Sequence, residues 1–407
     1  MTLSTEASPV TKLRQPEGLM LLFILVAIMD ASLGSILALL AEIRTQFEIS
    51  PTGVGLNGGT GFVTAVAAQV GLARFADQGH ARALLIFGIL IAALSMIFLA
   101  LADSLWDFVA GRLLLGLGEG SILPAARRTV IVNAGGDAGA SLGRLNAFQI
   151  TGFLFGPVFG SMVFELAGLQ AVFITTLVMI LCCIPLLARI TLPETKVESG
   201  APVLRKLLRR REMKAMICMA VGYYGSFGLF EAIWAIMLAD LGASQLFIGL
   251  NFTLFSLPMI FIAPLGGRIA GRHGAMRVCW IAIALSIPFI ATYGFIESLF
   301  LLTAIMMGQA VADAVVMPAS QLAVAEISGE NIAAGQGLFG ACGLSVAALV
   351  ALGSGAVYGE YGGKVVFAGY AVIMALSLVG AALFAWNRPG DDTAPTLAYD
   401  QPESDSQ

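Results

Sequence analysis

The sequence predicts an all-α membrane protein whose twelve transmembrane helices form two six-helix bundles related by a parallel internal repeat. Of the 407 residues, 58% are hydrophobic and 12% are charged, whereas soluble domains carry about a quarter charged residues. The apolar residues form long continuous runs, and two separated motifs recur at one offset. A soluble core of this length cannot bury so much apolar surface.

Twelve apolar segments can be drawn along the chain, and a membrane span needs about 20 apolar residues. Lipid offers the backbone no hydrogen bonds, so a spanning segment must be a helix or part of a closed barrel. These segments are too long and continuous for barrel strands, which favours helices. The predicted spans are 17–41, 52–73, 82–103, 106–130, 140–165, 168–190, 214–240, 244–266, 276–295, 298–325, 332–358 and 364–387.

Lysine and arginine residues predict the orientation, because cytoplasmic loops of membrane proteins carry an excess of both. With the N-terminus inside, 19 of the 22 basic residues lie on the cytoplasmic side, while Arg44 and Lys364 lie outside and Arg112 lies within a span. The chain is therefore expected to be a multi-pass protein of the cytoplasmic (plasma) membrane with both termini in the cytoplasm.

The longest internal polar stretch separates six spans from six. The predicted domains are a cytoplasmic N-terminus 1–16, an N-terminal bundle 17–190, a cytoplasmic central loop 191–213, a C-terminal bundle 214–387 and a disordered cytoplasmic tail 388–407. The central loop carries a basic cluster, which is interpreted as a topological anchor, with binding of anionic lipid as the alternative. The cluster consists of Arg205, Lys206, Arg209, Arg210 and Arg211.

The two halves of the chain repeat with an offset of 194 residues. The stretch ARFADQGHA at 73–81 aligns with GRIAGRHGA at 267–275, and EGSILPA at 119–125 aligns with DAVVMPA at 313–319. Both matches fall at corresponding spans, so they indicate a duplicated six-helix unit. Because six is even, both copies enter the membrane from the same side, which gives a parallel repeat about an axis along the membrane normal.

These motifs resemble those of the major facilitator superfamily, in the loop RFADQGHARALL and the fourth-span stretch RLLLGLGEG. The fifth span reads GFLFGPVFG, which resembles the antiporter signature of the drug:proton antiporter branch. Gly152, Gly156 and Gly160 share one helical stripe that permits close approach of a neighbour, and Pro157 bends the helix. The resemblance implies a role in rocking and leak prevention; a kinked packing motif is the alternative.

The resemblance also implies a cytoplasmic gate after the second span. Asp77 is expected to face a helix N-terminus, where exposed N–H groups favour an anion, and to hold the halves together with Arg82 while the site faces outward. A solvated turn is the alternative. The sequence departs from the family pattern at Gln78, and Gly271 stands where the first copy has Asp77. The predicted gate residues are Asp77, Arg82, Arg74, Arg272 and Arg277.

Five charged residues, Asp30, Arg112, Glu119, Glu231 and Asp313, fall well inside predicted spans. Each costs about 2.5–3.5 kcal/mol at the centre of the bilayer, so all five cannot face lipid in charged form. They must pair, carry a proton or line water, and each possibility places them in a central cavity. Arg112 and Glu119 are seven residues apart and share a helix face, and the resemblance implies that Asp30 of the first span is a neighbour. Asp30 or Glu119 is therefore expected to pair with Arg112.

We predict proton coupling at Glu119, assisted by Asp30 and Arg112, because an acid whose surroundings change between two states can take up and release a proton. Glu119 and Asp313 occupy equivalent positions in the two halves and are expected to face the pseudo-symmetry axis together. For any one acid, a structural hydrogen bond to a neighbouring helix is the alternative. The predicted substrate cavity comprises Glu231, Asp313, Trp234, Gln149, Asn251 and Gln309.

These features predict a secondary transporter that exports small amphipathic or drug-like molecules by proton-coupled antiport. The alternative is an uptake permease, facilitator or exporter of a polar metabolite such as a sugar or an amino-acid derivative. The five cysteines and two histidines show no metal-site spacing, and no nucleophile–base pair is visible, so neither an enzyme nor a metal site is expected. No cofactor is expected, because the proton gradient supplies the energy for transport. The expected partners are a small-molecule substrate, protons and the lipid bilayer, and no nucleic acid. The chain is expected to be monomeric.

Overall fold

The computed structural model describes residues 15–75, 79–133, 138–184 and 201–385. Each of the twelve predicted segments contains one helix. The last helical run, Ile332–Ala385, is interrupted at Gly362, whose φ of 73° and ψ of 179° are non-helical, and it comprises α11 (332–361) and α12 (363–385). The other helices are α1 (Gln15–Gln46), α2 (Pro51–Phe75), α3 (Ala81–Ala100), α4 (Leu105–Asn133), α5 (Ala138–Ala167), α6 (Leu169–Cys182), α7 (Arg211–Asp240), α8 (Gln245–His273), α9 (Ala275–Thr292) and α10 (Leu299–Ser328).

Nine helices of the described chain are long and apolar enough to cross a membrane, and one of the nine is the run that contains both α11 and α12. Two further helices complete the set of twelve. The apolar part of α6 is shorter, at Leu169–Cys182. Helix α2 is rich in glycine and polar residues and packs between α4 and α11. The predicted fold class, a helical membrane protein with two six-helix bundles, is confirmed.

Two local features depart from simple spans. A π-helical turn, Phe230–Trp234, interrupts α7 in its second half. Residues 201–209, which lie in the predicted central loop, form a short connecting helix, Ala201–Arg209. Leu207 of this helix is buried, while Leu204 and Leu208 are exposed, so the connecting helix presents one apolar edge to the C-terminal bundle.

Helices α1–α6 form the N-terminal bundle and α7–α12 form the C-terminal bundle. Within the first bundle α1 packs on α5, and α4 packs on both α2 and α3; within the second, α7 packs on α11, and α10 packs on α8 and α9. The two bundles meet where α2 packs on α11 and where α5 packs on α8, with α1 contacting α7 and α8. The central helices of both bundles therefore enclose the space between them.

The glycines of the fifth-span motif bring α5 against the backbone of α1. A Cβ added at Gly152 or Gly156 would collide with a carbonyl oxygen of α1, and one added at Gly160 would lie 2.7 Å from the Cβ of Ser35. The Ser35 hydroxyl also donates a hydrogen bond of 2.8 Å to the carbonyl oxygen of Gly156. The motif is thus a close-packing surface within the N-terminal bundle, and its role in transport stays a prediction.

The interface between the bundles repeats the 194-residue offset. A Cβ added at Gly55 of α2 would lie 2.6 Å from the carbonyl oxygen of Ala351 in α11. A Cβ added at Gly249 of α8 would lie 2.7 Å from the carbonyl oxygen of Pro157 in α5. Gly249 follows Gly55 by 194 residues, and Ala351 follows Pro157 by 194. The contact between α2 and α11 and the contact between α8 and α5 are therefore two copies of the same backbone contact, related by the internal repeat.

A second pair of contacts lies one helical turn away and obeys the same offset. A Cβ at Gly59 would lie 3.1 Å from the carbonyl oxygen of Ala348, and the Thr253 hydroxyl donates a hydrogen bond of 2.7 Å to the carbonyl oxygen of Leu154. Beyond both pairs, Arg44 of α1 forms an ion pair of 2.7 Å with Asp240 of α7. This end of the bundles, predicted to be external, is closed.

At the opposite end of the inter-bundle space, no described residue lies close to the glycines of α11 that face it. Leu344 of α11 lines the central cavity, and Gly340 and Gly337 lie four and seven residues before it, on the same helix face. A Cβ at either glycine would meet nothing within 4 Å. Along this face of α11, the described part of the chain therefore leaves the space between the bundles open toward the side predicted to be cytoplasmic.

Candidate functional site

A cavity of about 150 Å³ lies between the bundles, next to the closed end of the interface. Four of its five contributing helices, α1, α2, α4 and α5, belong to the N-terminal bundle, and Leu344 comes from α11. Its surface is mainly apolar, with a few polar and charged groups. The lining residues are Val26, Met29, Asp30, Leu33, Gly61, Phe62, Ala65, Gln69, Arg112, Gly116, Glu119, Ile122, Leu123, Gln149 and Leu344.

The three residues predicted for proton coupling all line this cavity. Asp30 of α1 accepts a hydrogen bond of 3.4 Å from the Gln149 side-chain amide of α5. Glu119 of α4 is close enough to Asp30 and Arg112 to interact with both electrostatically. Glu119 forms no ion pair with any residue in the described ranges. Two carboxyl groups therefore share one mainly apolar space between the bundles.

Arg112 pairs with Glu231 of α7, across the two bundles. Both side chains are buried, with 3% and 4% of their surfaces exposed. The expectation that Asp30 or Glu119 would be the partner is therefore wrong for this structure. Glu231, predicted to contact substrate, is engaged by the arginine instead. Spacing along α4 places Arg112 on the face of Glu119, but only the packing of the bundles brings the π-helical turn of α7 opposite Arg112.

Two glycines of α2 make room for this ion pair. A Cβ at Gly61 would lie 3.0 Å from Nη2 of Arg112, and one at Gly58 would lie 3.3 Å from Cγ of Glu231. The two glycines are three residues apart and share a helix face. The Arg112 Nε has no hydrogen-bond partner among the described residues. The paired groups thus lie against bare backbone, and one donor of the guanidinium is left unsatisfied.

Asp313 does not face the axis together with Glu119, as its equivalent position in the repeat predicted. Its carboxylate accepts hydrogen bonds of 2.9 Å from the Ser286 hydroxyl and 3.0 Å from the Gln309 amide. Gln309 in turn accepts a bond of 2.6 Å from the Tyr293 hydroxyl. All of these side chains are buried. Asp313 and Gln309 therefore belong to a polar network inside the C-terminal bundle and do not line the cavity.

Trp234 and Asn251, both predicted to line a substrate cavity, are also internal to the C-terminal bundle. The Trp234 ring is fully buried and packs on Phe230 and Tyr293, each with its ring centroid at 4.8 Å. Its indole N–H donates a hydrogen bond of 2.8 Å to the Asn251 side-chain oxygen. The aromatic residue three positions after Glu231 therefore supports the π-helical turn and does not face a ligand.

Several residues near the cavity were not predicted from the sequence. Gln69 lines it. Arg127 of α4, counted above among the basic residues on the cytoplasmic side, is close enough to Asp30 and Tyr224 to interact electrostatically. Tyr224 could have been identified from the repeat, because this residue follows Asp30 by the offset of 194 and occupies the equivalent position in the second half. Its ring packs directly over Gly343, the equivalent of Gln149.

Only some residues of the predicted cytoplasmic gate lie in the described part of the chain. Asp77 lies outside the described residues, and nothing is described of the Arg74 side chain. Arg82, Arg272 and Arg277 are exposed at the ends of their helices. The gate therefore stays a prediction.

The chain matches the sequence model of the Major Facilitator Superfamily over residues 20–232 and again over residues 215–402. It is 24% identical over 268 residues to a "Multidrug resistance protein MdtG" of Salmonella choleraesuis (strain SC-B67), covering 63% of this chain and 66% of the relative. It is 26% identical over 262 residues to the protein of that name from Citrobacter koseri, covering 60% and 63%. The match thus spans slightly less than two thirds of the length of these relatives.

Solved transporters share the fold at lower identity. The nucleoside transporter NupG superposes with a TM-score of 0.74 at 14% identity, covering 91% of this chain and all of that one. A bacterial homologue of the human lysosomal transporter Spinster, in an inward-facing and unoccupied conformation, superposes with a TM-score of 0.71 at 15% identity, covering 92% of this chain and 95% of that one.

The resemblance of the sequence motifs to the antiporter branch is confirmed by the curated relatives. Membership of a transporter family also confirms the prediction that the chain is not an enzyme. The chain belongs to the major facilitator superfamily of membrane transporters.

Proposed function

We propose that this chain is a proton-coupled antiporter of the cytoplasmic membrane that exports small amphipathic or drug-like molecules by alternating access. The cavity carries this proposal, because it combines an apolar lining with two carboxyl groups, Asp30 and Glu119. Arg112 is engaged by Glu231, so these two acids are available to a proton or to a cationic ligand. The names of the curated relatives support drug efflux.

Competition at the acids provides the coupling. A carboxylate in a cavity of low dielectric attracts either a proton or an organic cation, and binding of one disfavours the other. Apolar residues such as Phe62, Leu123 and Ile122 accommodate the body of an amphipathic molecule without specific hydrogen bonds. If the cavity faces the two sides in turn, inward flow of protons drives the molecule outward.

The alternative is a permease or facilitator for a polar metabolite. Such a protein would need several polar groups that recognise its substrate. Of the polar groups in the cavity, Arg112 is paired with Glu231 and Gln149 is hydrogen-bonded to Asp30. The polar residues Asn251 and Gln309 are hydrogen-bonded inside the C-terminal bundle. The fold shared with a nucleoside transporter carries no information on substrate at 14% identity.

The proposal is tested with purified protein in liposomes that contain a pH-sensitive dye. A pH gradient is imposed and tetraphenylphosphonium is added as a lipophilic cation. We expect the cation to trigger proton movement, and Glu119→Gln to abolish it. Glu165→Gln, which changes an exposed acid of α5 away from the cavity, is the matched control and should behave as the native protein. Equilibration of the cation without proton movement would establish a facilitator instead.

A further inference from the structure

We propose that Arg112 changes its counter-ion during transport, pairing with Glu231 while the cavity faces the cytoplasm and with Glu119 once the outer interface has opened. The inference rests on the proposed function, since it explains when the carboxylate of Glu119 can bind a cation and when Arg112 occupies that carboxylate instead. Its starting point is that the ion pair joins α4 of one bundle to α7 of the other.

The position of the pair ties it to the outer interface. Gly58 of α2 contacts Glu231, and Gly55, one turn nearer the outer end, contacts α11. An outward-facing cavity requires α2 to separate from α11 and α5 to separate from α8. Because Arg112 belongs to the N-terminal bundle and Glu231 to the C-terminal bundle, the same movement pulls the two charges apart.

Glu231 is held firmly to its own bundle. It lies in the π-helical turn Phe230–Trp234, and such turns occur frequently at functional sites. The rings of Phe230 and Trp234 pack against each other and against Tyr293, and Trp234 is bonded to Asn251. The carboxylate therefore moves with the bundle and cannot follow Arg112.

Arg112 then needs a new partner, because an unpaired buried charge is strongly unfavourable. Glu119 lies seven residues further along α4, on the same face and about 10 Å along the helix axis. An arginine and a glutamate side chain that extend toward each other can cover this separation. Glu119 also stays in the same bundle throughout, and its electrostatic contact with Arg112 is present already.

The exchange has a direct consequence for the cargo. With Arg112 held by Glu231, Glu119 is free to bind a cation from the cytoplasm. When Arg112 turns to Glu119, it displaces that cation toward the outside. Glu231 is then left without its counter-charge; the charged groups of the described chain that interact with it are Arg112 and Glu119. It then takes a proton from the outside, and that proton leaves the carboxyl group for the cavity when Arg112 returns. The cation at Glu119 and the proton at Glu231 thus exclude each other through Arg112.

Three variants test the exchange: Glu231→Gln, Arg112→Gln/Glu231→Gln and the control Glu165→Gln. The first readout is equilibrium binding of radiolabelled tetraphenylphosphonium to purified protein. In Glu231→Gln, Arg112 turns permanently to Glu119, so we expect the affinity to fall by about tenfold. In the double variant no cation competes for Glu119, and the affinity should return to near the native value.

The second readout is hydrogen exchange at the outer ends of α2 and α11, which needs no substrate. Glu231→Gln should raise deuterium uptake there, since the open form gains the Arg112–Glu119 pair, and the double variant should reverse the increase. Native affinity and native uptake in Glu231→Gln would overturn the exchange, as would a double variant that is as impaired as the single one.

The two proposals fail in different ways. If the native protein binds no lipophilic cation but the uptake changes are present, the proposed function fails and the exchange is supported. If Glu231→Gln does not fold, Gly61→Ala replaces it, because the added methyl group would lie 3.0–3.3 Å from the Arg112 guanidinium while both charges remain. It should weaken binding in the same direction, and unchanged binding would overturn the exchange.

Discussion

The two bundles share a plan of contacts but differ in chemistry. The backbone contacts of Gly55 and Gly249 at the outer interface are related by the repeat offset. In the cavity the equivalence is lost: Asp30 corresponds to Tyr224, Gln149 to Gly343 and Arg112 to Met306. Closing the interface requires tight backbone approach from both copies, whereas the charged side chains that line the cavity, Asp30, Arg112 and Glu119, all belong to the N-terminal copy. The backbone contacts are therefore common to both copies, and the charged lining is specific to one.

The C-terminal half uses the corresponding space for packing. Tyr224 packs against Phe339 with ring centroids 5.6 Å apart. Asp313, the acid that matches Glu119 across the repeat, accepts hydrogen bonds from Ser286 and Gln309. Because two donors inside its own bundle satisfy the buried Asp313 carboxylate, we expect this acid to stabilise the fold and not to take part in transport. The comparison therefore predicts that acids of the two halves respond differently to the same substitution.

The largest expected difference is between Asp30→Asn and Asp313→Asn. Asp30→Asn should reduce substrate-triggered proton movement in liposomes by about tenfold or more, because it removes an intramembrane charge from the cavity. Asp313→Asn should leave transport within about threefold and destabilise the fold by about 1 kcal/mol, since one hydrogen bond of the network is lost. Equal loss of transport in both variants would show that the C-terminal acid is functional as well.

The symmetry of the interface is tested by Gly55→Leu and Gly249→Leu. A larger side chain at either position must force α2 from α11 or α8 from α5, so each should slow transport several-fold, by similar amounts, through failure to close the outer side. Gly353→Leu is the control, because a Cβ at that glycine of α11 would meet nothing within 4 Å. A large effect of one variant and none of the other would contradict the equivalence of the two contacts.

The fifth-span motif offers a packing comparison between α5 and α11. Val350 occupies the position equivalent to Gly156. Gly156→Val copies it and should lower stability by about 1–3 kcal/mol through overpacking against α1, measured by thermal unfolding in detergent. Gly71→Val, at a glycine with open space around it, should have little effect. If both variants unfold at the same temperature, the glycine stripe does not determine the packing of α5 on α1.

The smallest effect is expected at the outer ion pair. Arg44 and Asp240 are 28% and 44% exposed, and exposed pairs contribute about 0.2–1 kcal/mol. Arg44→Gln should therefore lower the unfolding temperature slightly at low salt, and the difference should vanish at high salt, where charges are screened. A large change that persists at high salt would mean that the pair is essential for closing the outer side.

The sequence by itself determined much of this protein. Long apolar runs predicted each of the twelve helices, because a bare backbone in lipid must form its hydrogen bonds within the segment. The repeat offset, read from two short motifs, recurs in the contacts of Gly55 and Gly249. The cost of intramembrane charge predicted all five buried charges in a central cavity. Asp30, Arg112 and Glu119 line it, whereas Asp313 is hydrogen-bonded inside the C-terminal bundle.

Only the tertiary structure decided which partners these residues meet. Helical periodicity places Arg112 and Glu119 on one face, but the neighbour of that face depends on how each helix is rotated and which bundle lies opposite. Glu231 reaches Arg112 because α7 contains a π-helical turn and α2 presents glycines beside it. Asp313 and Trp234 turn inward because Ser286, Gln309 and Asn251 offer hydrogen bonds there. Contacts between distant segments follow from packing the whole chain, and local spacing does not contain them.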